Sequence, residues 1–98
     1  MGVRHMVMLA LKEAATDEQK RAAVDGLRSL AGVVPGMRSL TAGLDLGLIG
    51  SHGIGMVADF DDEASFQAYL GSSEHSRVSK QNLAPVMASA AIVQYAID

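Results

Sequence analysis

The first stretch of the chain that can form a strand is apolar on both of its faces. It runs from Val3 to Leu11, and because side chains alternate across a strand, His5 and Val7 share one face while Met6 and Met8 share the other. A sheet with such a strand must be covered on both sides, since an open face of this composition leaves an exposed apolar patch. The helices of a small domain cover only one side. We therefore expect a second copy of the chain to cover the face bearing Met6 and Met8.

A capping box marks the start of the first helix. The Thr16 hydroxyl is placed to accept a hydrogen bond from the Gln19 amide, while the Gln19 side chain reaches back to the backbone of residue 16. Ala23 and Leu27 then recur at helical spacing, and Gly32 is placed to end the helix. The sequence predicts a helix from the capping box to Gly32 with one buried face.

Two further strands and a second helix follow. The turn Val34-Pro35-Gly36 leads into a strand from Met37 to Leu44, and a glycine-rich loop separates it from a third strand, Ser51 to Phe60. Asp61-Asp62-Glu63 then supplies a helix N-cap and acidic residues in the first turn. A strand hairpin followed by a helix is therefore predicted here.

The last part of the chain predicts one more helical segment and a final strand. Gly71-Ser72-Ser73 stops the second helix, Glu74 to about Met87 forms a helical segment bent or shortened by Pro85, and Ala90 to Ile97 forms the fourth strand. The order is βαββαβ with an extra helical segment before the last strand, which matches the ferredoxin-like α+β plan. A single domain over residues 1–98 is expected.

The three histidines of the chain are its clearest candidates for chemistry. Histidine gains or loses a proton near neutral pH, so several in one place form a plausible acid–base site. In the expected plan strands one and three lie side by side and parallel, so His5 and His52, each near the start of its strand, should be close in space. His75 opens the extra helical segment, six residues after Tyr69 on the second helix.

Composition excludes several classes of function. The net charge is -3, and the eight basic residues are scattered, which disfavours nucleic acid because phosphate binding needs a concentrated positive field. The absence of cysteine excludes a disulfide framework and thiolate chemistry, and is compatible with a reducing cytosol. No secretion signal or membrane-crossing stretch is visible. We expect a cytoplasmic protein with no nucleic-acid or membrane partner.

Several motifs taken together resemble a known family. Val3-Arg4-His5-Met6-Val7 opens a strand, Val34-Pro35-Gly36 follows the first helix, His52 lies on the third strand, and Tyr69 precedes His75. In order and spacing these resemble the stress-responsive dimeric α/β barrel (Dabb) domain over nearly the whole chain. The resemblance implies that two ferredoxin-like subunits form a dimeric α/β barrel. It also implies a similarity to a plant polyketide cyclase of that family, which closes a linear polyketide by intramolecular aldol condensation.

The resemblance implies roles for four polar residues. His75 is similar to the general base of that cyclase, and Tyr69 to the hydroxyl that orients the base or the substrate carbonyl. His5 and His52 are similar to polar groups that line the same pocket. A hydrogen bond between Tyr69 and His75 would fix the tautomer of the imidazole.

The chain also departs from the cyclase. Ser72-Ser73-Glu74-His75 stands where the family often has His-Pro-x-His, and Ala23 and Leu27 stand where the cyclase has aromatic pocket residues. Any pocket here should therefore be wider or differently shaped, and the identity of the substrate does not transfer.

We expect an apolar pocket between the sheet and the first helix that binds a small apolar carbonyl compound and needs no cofactor. Its predicted lining, beside the four polar residues, is Val7, Leu9, Ala23, Leu27 and Ile54. One alternative is a non-catalytic, stress-responsive homodimer in which the histidines only shape the sheet edge. A second is a metal site built from the histidines, although the sequence has no nearby carboxylate or HxH spacing that would indicate one. A third is haem-linked or monooxygenase chemistry, for which no cofactor motif is visible.

Overall fold

The computed structural model describes residues 1–50 and 53–98, which fold into one sheet with helices on one side. In chain order the elements are β1 (Gly2–Leu11), α1 (Asp17–Arg28), β2 (Met37–Leu44), β3 (Ile54–Phe60), α2 (Glu63–Leu70), α3 (Ser73–Val78), a π-helical turn (Ser79–Leu83) and β4 (Met87–Ile97). This is the predicted ferredoxin-like order, with the extra helical segment before the last strand.

The strand order is β2-β3-β1-β4, and every neighbouring pair is antiparallel. The predicted parallel pairing of β1 with β3 is therefore wrong. The crossover through α1 returns the chain so that β2 runs in the same direction as β1. The hairpin between β2 and β3 then reverses the chain, so β3 runs opposite to β1. Leu9, near the end of β1, pairs with Ile54 at the start of β3, whereas His5 pairs with Ala58. The argument that brought His5 and His52 together fails, and His52 itself lies outside the described residues.

Local signals place α1 where the sequence predicted its start. The Thr16 hydroxyl accepts a hydrogen bond from the backbone amide of Gln19 at 3.1 Å. The side-chain carbonyl of Gln19 accepts one from the backbone amide of Thr16 at 3.0 Å. The helix ends at Arg28, before the predicted Gly32, because the chain passes through tight turns from Ser29 onward. Gly32 has a φ of 82°, which only glycine adopts without strain, and it serves those turns.

The extra helical segment is shorter than predicted. Gly71 ends α2, and the Ser72 hydroxyl then accepts a hydrogen bond from the His75 amide at 3.1 Å, which starts α3. The π-helical turn ends at Leu83, before Pro85, whose ring nitrogen has no hydrogen to continue the helix. β4 therefore begins at Met87, three residues earlier than expected.

The helices pack on the sheet face that carries His5, Val7 and Leu9, and the core lies between these layers. The buried apolar residues form one cluster: Leu9, Ala23, Val24, Leu27, Leu30, Val34, Ile54, Met56, Ala58, Phe60, Phe66, Tyr69, Val78 and Val86. A core of this kind holds β1 and α2 in fixed positions, and these elements carry the candidate site.

The opposite sheet face remains exposed, and we call it the open face: Arg4, Met6, Met8, Val57, Asp59, Val93 and Tyr95. The Val93 side chain is 53% exposed, and Met8 and Tyr95 are also exposed. Arg4 and Asp59 pair across β1 and β3 through two hydrogen bonds of 2.8 Å. This guanidinium holds the pKa of the Asp59 carboxyl below its ordinary value. The open face is thus mostly apolar, and the charges of Arg4 and Asp59 on it are already paired with each other.

Across residues 1–50 and 53–98, no helix combines the length and hydropathy needed to span a membrane.

Candidate functional site

A cavity of about 520 Å³ lies between the sheet and the helices α2 and α3. Its apolar wall includes Val7, Leu9, Leu27, Met56, Phe66, Leu70, Val78, Leu83, Met87, Ala90 and Ile92. Its polar lining consists of His5, Gln67, Tyr69, His75, Ser79 and Gln94. Within the described part of the chain, no Lys, Arg, Asp or Glu lines it. An apolar cavity with a few convergent polar groups is typical of a small-molecule site.

His5 lies at the inner wall because strand alternation turns it toward the helices. Its side chain is almost sealed, at 5% exposure, and its ring centre lies 4.9 Å from that of Phe66. Nδ1 of His5 is 2.8 Å from the side-chain amide nitrogen, Nε2, of Gln94 on β4. Burial, with a smaller contribution from His75, lowers the pKa of His5 from 6.5. The ring is therefore neutral at neutral pH.

Tyr69 and His75 meet because the chain turns sharply between α2 and α3. Gly71 ends one helix and Ser72 caps the next, so the two rings come edge to face with centres 4.9 Å apart. Burial raises the pKa of Tyr69 and lowers the pKa of His75. At neutral pH this places a protonated phenol, which donates, beside a neutral imidazole, which accepts a proton.

Within the described residues, Tyr69 and His75 meet through ring contact and share no hydrogen bond. Tyr69 also lies near His5, with ring centres 6.4 Å apart. The phenol ring is therefore close to both imidazoles. Its hydroxyl makes no hydrogen bond within the described part of the chain, so it is available to a ligand.

The predicted lining is only partly found in the cavity. Val7, Leu9 and Leu27 line it together with His5, Tyr69 and His75. Ala23 and Ile54 do not, because both are completely buried in the core where α1 packs on the sheet. The expected position between the sheet and α1 is accordingly shifted toward α2 and α3.

Most of the cavity lining was not predicted from the sequence, and this includes two residues that lie directly beside His5. Phe66 packs against His5 from α2, and Gln94 faces His5 from β4. Alternation along β4 puts Ala90, Ile92 and Gln94 on one face, which was a usable signal. The pairing of Gln94 with His5 depends on the register between β1 and β4, and no local pattern contains that register.

Over the described ranges, no group of three or more His, Cys, Asp or Glu side chains is arranged to hold a metal ion.

The buried His5 should make folding stability depend on pH. Its pKa is lowered in the folded state, so below pH 6.5 the unfolded chain takes up a proton that the folded chain refuses. Stability contributed by the neutral ring is therefore complete above pH 6.5 and is lost as the pH falls through the lowered pKa of the folded state. Thermal unfolding at a series of pH values below 6.5 should show the decline, and His5→Gln should reduce it to the part that His75 contributes. Equal slopes in both proteins would contradict the prediction.

The fold and cavity define a class of protein: a ferredoxin-like α+β domain with an apolar cavity that holds two imidazoles and a phenol. The sequence profile of the stress-responsive A/B barrel (Dabb) domain matches residues 3–97, and the chain belongs to this family. No curated protein matches the chain.

Solved structures of other proteins share this fold. A dimeric ferredoxin-like protein of unknown function from Thermobifida fusca is 31% identical, with a TM-score of 0.90 over 99% of this chain and 92% of its own. A dimeric protein of unknown function from Bacteroides fragilis is 23% identical, with a TM-score of 0.85 over 98% of this chain and 96% of its own. The hydroxynitrile lyase of Passiflora edulis is 20% identical, with a TM-score of 0.84 over 99% and 94%. The last two likenesses show the fold alone.

Proposed function

We propose that this protein is a homodimer whose cavity binds a small, neutral, mostly apolar carbonyl compound and moves a proton beside the carbonyl. Aldol-type closure of a polyketide-like chain is the reaction that this chemistry fits best. The observation that carries the proposal is the convergence of His5, Tyr69 and His75 on one apolar cavity. Several titratable groups in one cavity are typical of a functional site.

The absence of charged lining residues argues for a neutral ligand. Moving a carboxylate or phosphate into an apolar cavity without a counter-charge costs several kcal/mol. His5 and His75 do not supply that counter-charge at neutral pH, since burial lowers both pKa values. A neutral ligand avoids this cost, and its hydrocarbon part packs against Val7, Leu27 and Ile92.

The cavity holds the groups that an aldol closure needs. Neutral His75 removes a proton from the carbon next to one carbonyl, and a hydroxyl or N–H donor stabilises the oxygen on which negative charge develops. The carbanion carbon then bonds to the carbon of a second carbonyl, whose oxygen takes the proton back from His75. The product is an isomer of the substrate, so no external reductant or oxidant is required. Tyr69 lies on the His75 side of the cavity and serves as a donor.

The open face supports the homodimer. Its apolar side chains have no cover within the described chain, and structural neighbours from three bacteria are described as dimeric. In a two-fold dimer the same face meets itself, so Met8 and Val93 of both copies are covered together. The ion pair of Arg4 with Asp59 satisfies both charges before the face is covered, which limits the cost of burying it.

A matched pair of ligands tests the cavity. A β-diketone with an alkyl tail should bind at neutral pH and shift the NMR signals of His5 and His75, whereas the same chain ending in a carboxylate should bind at least about 10-fold more weakly. Equal affinity for the acid would contradict the neutral-ligand assignment. Unchanged imidazole signals with both compounds would favour the alternative, a homodimer without turnover.

A further inference from the structure

Gln94, on the edge strand β4, contacts His5, one of the two cavity imidazoles. Gln94 and His5 are direct partners across the β4–β1 ladder. The side-chain amide nitrogen of Gln94 lies 2.8 Å from Nδ1 of His5. Gln94 is solvent-exposed on the edge strand, whereas His5 is almost sealed. The bond therefore joins the outer rim of the cavity to its inner wall.

The chemistry of this contact restricts the proton on His5. In the structure the side-chain amide nitrogen of Gln94 faces Nδ1, and an amide nitrogen donates, so in this arrangement Nδ1 is unprotonated. A neutral imidazole then carries its one proton on Nε2. Nε2 of His5 makes no hydrogen bond to the described residues. The atom is also not completely buried. It is accordingly available to donate to a ligand.

We propose that Gln94 is a positioning residue that holds His5 as the Nε2–H tautomer and thereby makes His5 a hydrogen-bond donor to the ligand carbonyl. The two imidazoles of the cavity then have different roles: His5 donates, and His75 accepts the proton. The use of the donor rests on the proposed function, whereas the tautomer itself is a property of the free protein.

A glutamine suits this role and a glutamate does not. A carboxylate at position 94 would accept from an Nδ1–H, which would turn Nε2 into an acceptor and stabilise the charged ring. The other neighbours of the ring do not impose a tautomer: Ala58, Phe66 and the Tyr69 ring supply no hydrogen bond to Nδ1. His75 is the titratable imidazole that faces it, and its charge only disfavours a second charge. Among the described neighbours of the ring, Gln94 is thus the group that hydrogen-bonds to Nδ1 of His5.

NMR of ligand-free protein with ¹⁵N-labelled histidine tests the inference directly. Long-range ¹H–¹⁵N correlation spectra distinguish a protonated from an unprotonated ring nitrogen, and His5→Gln assigns the signals. We expect Nε2 of His5 to be protonated and Nδ1 unprotonated at neutral pH. A proton on Nδ1 in the wild-type protein would overturn the proposal, whether or not any ligand is bound.

Two variants separate positioning from a general effect of charge. Gln94→Glu should move the proton to Nδ1 and raise the pKa of His5, and it should lower turnover by about 100-fold where the donor is used. Gln67→Glu places the same charge on the cavity lining from α2, without a bond to His5, and should leave the tautomer unchanged. The proposal fails if Gln94→Glu leaves the His5 signals as in the wild type, or if Gln67→Glu shifts the tautomer equally.

Discussion

His75→Ala should lower kcat on a poly-β-keto substrate by at least about 100-fold, because a positioned general base contributes roughly 10²- to 10⁴-fold to a proton transfer. Among the described cavity residues, His75 is the imidazole nearer to the donor Tyr69, with ring centres 4.9 Å apart against 6.4 Å for His5. The ring is only partly buried, so its removal opens space at a cavity wall and leaves the sealed core intact. Turnover assays together with thermal unfolding measure both effects.

A neighbouring variant on α3 serves as the control for that result. Arg77 is exposed on the same helix and is not part of the cavity lining, so Arg77→Ala should keep wild-type turnover. Full activity in His75→Ala would remove the base from the mechanism. An equal loss in both variants would mean that the assay reports the integrity of α3 instead of proton transfer.

Most of the fold was predictable because its signals are local. The capping box at Thr16 and the stop at Gly71 each depend on a few adjacent residues, and the structure has both. The direction of β3 relative to β1 was predicted wrongly, because strand direction follows from how a crossover and a hairpin combine. The length of the last helical segment also needed the structure, since β4 extends to Met87 by pairing with the end of β1.

The candidate site was predictable only where one element determines the position of a side chain. Strand alternation was enough to turn His5 toward the helices, and the break after α2 was enough to suggest that Tyr69 and His75 could meet. The structure places Ala23 in the core and outside the cavity lining, which the sequence did not reveal because the closeness of α1 to the sheet is a tertiary property. Gln94 required the β1–β4 register, which is likewise tertiary.

Val93→Asp should convert the protein from a dimer to a monomer. Val93 lies on the open face in the edge strand β4, directly across from Met6 on β1, and it is 53% exposed in the single chain. In a two-fold dimer every substitution occurs twice at the interface. Two carboxylates would then be buried without partners at a cost of several kcal/mol, enough to weaken the dimer by at least about 1000-fold. Light scattering at micromolar concentration measures the change in mass.

Val33→Asp provides a matched control, because Val33 has the same side chain at 58% exposure in the turns after α1, away from the open face. It should remain a dimer with wild-type mass. If Val93→Asp also remains a dimer, the two copies meet through another surface and the apolar side of β1 needs a different cover. A monomeric wild-type protein would contradict the homodimer itself. Val93 is on the sheet face away from the cavity, so a folded Val93→Asp monomer should retain the His5–Gln94 bond. The same variant therefore tests whether the cavity forms within one chain.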